Sequence, residues 1–254
     1  MPSKNYIRYS FKPAFLSGVM RIVEKSLFLL QLAAVTMFSI SSSSALAQVT
    51  PDQLKTRDNL MVVVRESAGS NKLDETLRPF GKMRAKLPDG RDIELEMAWW
   101  EFIGDAHVRF VFDGAQKMIN ATPSDLSELG LTNVDDALAV AITNVKRVYG
   151  EPSASPWSGG LIEVSGKSPD FDSSYFLDRA FWRKVSGSYP EGILVVVPKR
   201  GGLLYAPASD KDTVEKLKKS IAQLYESSGS ARVSSAIFLF KDDKWSVFQP
   251  PVSR

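Results

Sequence analysis

Residues 26–40 form an apolar run interrupted by Gln31, and this run decides which part of the chain is available to fold as a domain. Arg21 and Lys25 precede it, and Ser41–Ser44 and then Ala45-Leu46-Ala47 follow it. A cationic start, a short apolar middle and small residues at −3 and −1 compose a secretory signal, with Ala45 and Ala47 as its cleavage residues. The run is shorter than the roughly 20 residues that span a hydrocarbon core, so no membrane anchor is expected after processing. With no Cys at the cleavage site, no lipid anchor is expected either. Counted from Met20 the leader is of ordinary length and counted from Met1 it is long; both starts stay open.

Residues 48–254 are therefore expected to fold in the periplasm or outside the cell. The leader carries Lys4, Arg8, Lys12, Arg21 and Lys25 against Glu24 alone, so it accounts for the formal net charge of +3 of the whole chain. What remains is nearly neutral and lacks the basic excess that displaces phosphate counterions; nucleic acid is not expected as a partner. The chain has no Cys, which excludes thiol catalysis, thiolate metal sites and disulfides. A chain of about 200 residues buries enough apolar surface to fold without disulfides.

Hydrophobic periodicity then supplies the elements. Thr50-Pro51-Asp52 is a helix start, Leu60–Val64 a buried strand, and 66–82 a polar loop. Alternation from Met83 to Met97 around Pro88-Asp89-Gly90 predicts a hairpin, and Val108–Phe112 another strand. Thr122-Pro123-Ser124-Asp125 opens a short helix stopped by Gly130, and Asn133 caps a longer one over Val134–Tyr149, ending at Gly150. Residues 151–160, rich in Pro, Ser and Gly, read as a linker or long loop. Beyond them come a strand at Leu161–Val164 and an aromatic helix near Ser173–Val185. A hairpin follows, Ile193–Val197 with Leu203–Tyr205, then a helix over Lys211–Tyr225, and a last hairpin turns at Asp242-Asp243. Hairpins joined to helices predict an α+β domain with a mainly antiparallel sheet and three or four packed helices. The segment 151–160 also admits two lobes, 48–150 and 161–254.

From about Asp113 to Pro250 the chain resembles the YtpQ-like family of bacterial domains of unknown function. The resembling pieces are Leu126–Leu131 running into Ala137–Asn144, the aromatic run Tyr175-Phe176-Leu177 to Trp182, the strands Leu194–Arg200 and Leu203–Tyr205, the following helix and the final hairpin. The resemblance implies the α+β class and the order of elements, and no activity. The chain departs from the usual member in carrying an export leader.

Few residues present themselves for chemistry. His107 is the single histidine. Alternation through Asp105-Ala106-His107-Val108-Arg109 sets Asp105, His107 and Arg109 on one strand face, where Asp105 and His107 suit a proton-transfer pair. A histidine on a solvated or edge strand face needs the same pattern, and that reading is preferred. No Gly-x-Ser-x-Gly elbow accompanies the histidine, and one histidine cannot build a multi-histidine zinc site. Gly160–Ser168 resembles a phosphate loop, but its glycines are one residue too far apart and a strand fills the gap. Asp170-Phe171-Asp172 lacks the Gly and Glu of a calcium loop, and Asp172 or Ser173 is expected to cap the aromatic helix. Asp135-Asp136 suits the first turn of a helix, and Asp242-Asp243 suits a hairpin turn. Lys199-Arg200-Gly201-Gly202 is the one basic tip; it could hold an anion or acidic partner, or be a solvated turn. Trp99, Trp100, Phe102 and Trp157 are expected in the core.

No catalytic residues, metal ligands or cofactor are expected. The binding candidates are Lys199, Arg200, Asp105, His107 and Arg109. The leading reading is a non-enzymatic periplasmic binding protein with a protein partner in the cell envelope. The alternative is a carboxylate-based hydrolase acting on envelope glycan or peptidoglycan, and a third is carriage of a small ligand. Intact-mass analysis of the exported protein is expected to give a chain beginning at Gln48; retention of residues 1–47 would overturn the cleavage assignment.

Overall fold

A computed structural model of the chain describes residues 50–114 and 117–252. Residues 1–49, where the export leader is expected with Met1, Met20, Ala45 and Ala47, lie outside the described residues. The helix signal at Thr50 produces a single turn, α1 (Pro51–Leu54). The first apolar run is β1 (Leu60–Glu66), with Leu60 to Val64 all buried. The polar stretch after it is mostly loop and holds only β2 (Arg78–Pro79). The Pro88-Asp89-Gly90 turn joins β3 (Lys82–Lys86) to β4 (Asp92–Glu96), a hairpin that forms a two-stranded sheet of its own.

Next come β5 (Trp99–Glu101), β6 (Ala106–Phe112) and β7 (Ile119–Asn120). They complete a sheet of order β1-β6-β5-β2, with β7 also paired to β6, and every pairing is antiparallel. The central place of β6 explains its burial: neighbours cover both of its edges.

Two capped helices follow. In α2 (Pro123–Glu128), Asp125 N–H donates to Thr122 Oγ1 while Thr122 N–H donates to Asp125 Oδ2, a reciprocal cap. In α3 (Val134–Tyr149), Asn133 Oδ1 accepts the Asp135 N–H at 2.7 Å, and Asp135 and Asp136 sit in the first turn. Gly130 and Gly150, at φ of 70° and 86°, end the two helices where a side chain would be strained.

Residues 151–160 are not the open linker that their composition suggests. They carry β8 (Ser153–Pro156), paired with β9 (Ile162–Ser165). All four β8 side chains are exposed, so the strand is held by backbone pairing and leaves no apolar alternation in the sequence. The aromatic helix also differs from expectation. Asp172–Leu177 is a tight 3₁₀ segment, and α4 (Arg179–Ser186) begins afresh after Asp178, whose Oδ1 accepts the Phe181 N–H at 3.2 Å. Asp178, not Asp172 or Ser173, is the cap; Asp172 instead accepts the Gly166 N–H at 2.8 Å.

The remaining elements are β10 (Ile193–Lys199), β11 (Gly202–Pro207), α5 (Lys211–Ser227), β12 (Ile237–Lys241) and β13 (Lys244–Gln249). Asp242 and Asp243 have φ of 51° and 60°, as a two-residue turn that follows strand twist requires. The second sheet runs β13-β12-β10-β11-β9-β8, again antiparallel throughout.

Alternate residues of β10 serve different layers. Leu194 and Val196 pack with Val214, Leu217 and Ile221 of α5 on one face. Ile193, Val195 and Val197 face the main core, which draws residues from Leu60 to Val145 and from Val164 to Trp245. The fold is thus α+β, with helices packed on mainly antiparallel sheets, and the described residues belong to one compact unit. Among them, no helix is long and apolar enough to cross a membrane.

Phe176 is fully buried against Phe102, in the connection between β5 and β6 of the first sheet, and against Phe238 and Trp245 of the second, at ring separations of 5.7, 4.9 and 4.5 Å. Phe176→Ala is expected to cost about 3–5 kcal/mol, the range for deleting a buried aromatic ring. Denaturant unfolding of the variant, followed by both fluorescence and circular dichroism, measures the loss.

Candidate functional site

Of the polar residues of β6, His107 is buried and Arg109 half-buried. Strand register sets Arg65 of β1 opposite His107, and Arg109 opposite both Val63 and Trp99. Directly opposed residues of an antiparallel pair point to the same face, so Arg65, His107, Arg109 and Trp99 share one surface. His107 is only 3% exposed, a correction to the solvated or edge histidine expected from alternation. Its ring lies 5.1 Å from Phe80 and 5.9 Å from Trp99, and β1 and β5 flank its strand.

Both ring nitrogens of His107 are occupied. Arg109 Nε donates to Nε2 at 2.7 Å, and Ser67 Oγ lies 3.0 Å from Nδ1. A guanidinium only donates, so Nε2 accepts and the neutral ring carries its proton on Nδ1, donating to Ser67. Burial, followed by the charges of Arg109 and Arg65, holds the imidazole down to about 3. His107 is thus a fixed acceptor that orients Arg109.

Asp105 does not join this face. It stands in the turn before β6, where strand alternation no longer applies, and its carboxylate faces the loop before β12. Ser234 Oγ donates to Oδ1, and Ser235 donates its N–H at 3.1 Å and its hydroxyl at 3.3 Å to Oδ2. Burial pushes the Asp105 pKa up, against the opposing pull of these bonds. The Asp105–His107 proton-transfer pair therefore does not form. Asp105 and Glu66 do line one cleft of about 350 Å³ beneath Pro250, Pro251 and Val252.

The basic tip comes to the arginine face from the second sheet. Arg200 adds its charge to Arg65 and Arg109 and lowers the pKa of both. For Arg65, burial is the largest cause, then Arg200 and Arg109, with Asp170 opposing, and its pKa falls to about 10. The tip is docked, not solvated. The Arg200 N–H donates to Ala231 O, its carbonyl accepts the Ser173 N–H, and its guanidinium reaches Ser230 O at 3.2 Å.

The two glycines of the tip serve packing. A Cβ on Gly202 would lie 2.7 Å from Lys199 Cγ, and one on Gly201 would lie 2.9 Å from Pro169 Cβ. Lys199 thus folds its stem over Gly202 and pairs through its backbone with Arg232.

Three guanidinium groups are therefore gathered without a salt bridge; the Asp170 charge acts on Arg65 from beyond ion-pair distance, and Glu101, opposite His107 in register, pairs with Arg78. Among the described residues, none of Arg65, Arg109 and Arg200 forms an ion pair. Arg109 stacks its guanidinium 3.8 Å from the Trp99 ring centroid, which fixes its plane. The buried Nε of Arg200 and Nε1 of Trp99 find no acceptor. The arrangement offers donors and positive charge, and it suits oxyanions. No group of three potential metal ligands is assembled among the described residues.

Of the residues expected to bind, His107, Arg109 and Arg200 come together and Asp105 does not. Arg65 and Trp99 were missed. Arg65 ends an apolar strand and Trp99 sits in a short one, and only the register with β6 brings them to the site. Comparison with models of known families, with curated proteins and with solved structures finds no match to this chain.

The His107 shift makes a signed prediction. The unfolded chain protonates this residue near pH 6.5 and the folded chain only near 3, so its contribution to stability is complete above pH 6.5 and fades as pH falls toward 3. Asp105, with its pKa raised, contributes in the opposite direction. Denaturant midpoints of the wild type and His107→Gln between pH 7 and 4 should differ in slope by at most about 1.4 kcal/mol per pH unit.

Proposed function

We propose that this chain is an exported, non-enzymatic binding protein that recognises anionic groups on an envelope protein partner through Arg65, Arg109 and Arg200. The observation that carries the reading is the convergence of three arginines of which none forms a salt bridge among the described residues, with Asp170 opposing their charge only at Arg65 and from a distance. Grouping like charges in a half-buried site costs stability, and a partner that brings oxyanions offsets that cost. Arginine suits the task because its planar fork takes carboxylate or phosphate oxygens two at a time. Stacking on Trp99 and the bond to His107 hold Arg109 in place before a partner arrives, which reduces the entropy lost on binding.

A second reading, a carboxylate-based hydrolase of envelope glycan, draws on the cleft shared by Glu66 and Asp105. Against it, Asp105 is buried with both oxygens bonded to Ser234 and Ser235, and Glu66 accepts the Tyr225 hydroxyl. Turnover of peptidoglycan that disappears in Glu66→Gln would restore this reading.

The binding reading predicts opposite effects on stability and on capture. Replacing Arg65 alone by Gln is expected to leave the melting temperature unchanged or raised, because like-charge repulsion is removed and its guanidinium bonds only to the neighbouring Val64 carbonyl. The same variant should lose most of the partner recovered by cross-linking and mass spectrometry in the producing cell. Equal recovery by wild type and variant would sink the reading.

A further inference from the structure

A second feature lies away from the arginine face, where α4, the end of α3 and β11 enclose a cleft of about 620 Å³. That volume falls within the roughly 300–1,000 Å³ typical of small-molecule sites. Tyr205 forms part of its lining, a buried ring set edge-on to Trp182 at 5.9 Å. The Tyr205 hydroxyl bonds to no other described residue, and neither does that of Tyr189 in the same cleft. The two phenols are close enough for Tyr189 to add to the effect of burial in raising the Tyr205 pKa.

Charge in the cleft is balanced. Lys146 lies between Glu151 at 2.9 Å and Asp178 at 3.3 Å, and Lys184 is the second cation. The buried Oδ2 of Asp178 has the Lys146 charge beside it but no hydrogen bond. Phe181, Val185 and Pro152 supply an apolar wall.

We propose that this cleft binds a neutral, hydroxyl-rich small molecule, a mono- or disaccharide. Two cations against two carboxylates favour no net charge on the ligand. Phenol hydroxyls both donate and accept, as sugar hydroxyls do, and neither of these two is hydrogen-bonded to another described residue. The apolar wall suits the C–H face of a sugar ring. This site stands independently of the arginine face, so either can fail without the other.

The test is saturation-transfer difference NMR on the purified protein, with glucose, maltose and N-acetylglucosamine as separate probes and benzoate as an anionic comparison. Transfer is expected from at least one sugar, strongest at ring C–H protons, and weaker by about fivefold in affinity in Tyr205→Phe or Tyr189→Phe, as for one lost hydrogen bond. Because the Tyr205 hydroxyl has no protein partner, Tyr205→Phe should melt at the wild-type temperature, which separates a lost contact from a lost fold. No transfer from any sugar overturns the proposal, as does equal transfer in both variants. Binding of benzoate alone also overturns it, since that would put Lys184 and the apolar wall, not the phenols, in charge of recognition.

Discussion

The fold depends on one aromatic contact between its two larger sheets. Phe176, in the 3₁₀ segment before α4, touches Phe102 on one side and Phe238 and Trp245 on the other. Trp182 extends the cluster to Tyr205 and Trp245, and its indole N–H donates to the Tyr175 carbonyl at 2.8 Å. Without this cluster neither sheet has a complete inner face, because Val195 and Val197 on one side and Phe102 on the other belong to the same core. The buried Asp105 carboxylate reinforces the junction by binding the loop at Ser234 and Ser235. A charge at that place is costly unless bonded, and the two serines supply the bonds.

The junction also positions the arginine face. With the 3₁₀ segment docked, Ser173 donates to the Arg200 carbonyl, and the tip of the β10–β11 hairpin is held against the turn at 229–231. Arg200 then lies close enough to Arg65 and Arg109 to depress both. The histidine has a mechanical role there: its Nε2 accepts from Arg109, and burial keeps that nitrogen free of a proton.

Most elements were legible because their signals are local. Asn133 before an amphipathic stretch with Gly150 after it marks α3, and Asp242-Asp243 between two apolar runs marks the last hairpin. The failures share a cause. β8 has no buried side chain to leave a pattern, and the aromatic stretch has the composition of one continuous helix because its break depends on Asp178 capping a second start. Around the site, period-two alternation correctly joined His107 to Arg109 on one face, but it wrongly included Asp105, since the chain is already turning there.

By itself the sequence determined the α+β class, the order of the principal elements and which strands are buried, since apolar period and helix caps are properties of neighbouring residues. It also identified His107, Arg109 and Arg200 as residues of interest without relating the first two to the third. Only the tertiary structure decided that these side chains meet, that Arg65 and Trp99 join them, and that Asp105 turns away. The reason is physical: strand register and the docking of one sheet on another are set by contacts among residues more than a hundred positions apart, such as the 130 between Asp105 and Ser235, and no local pattern encodes such a pairing.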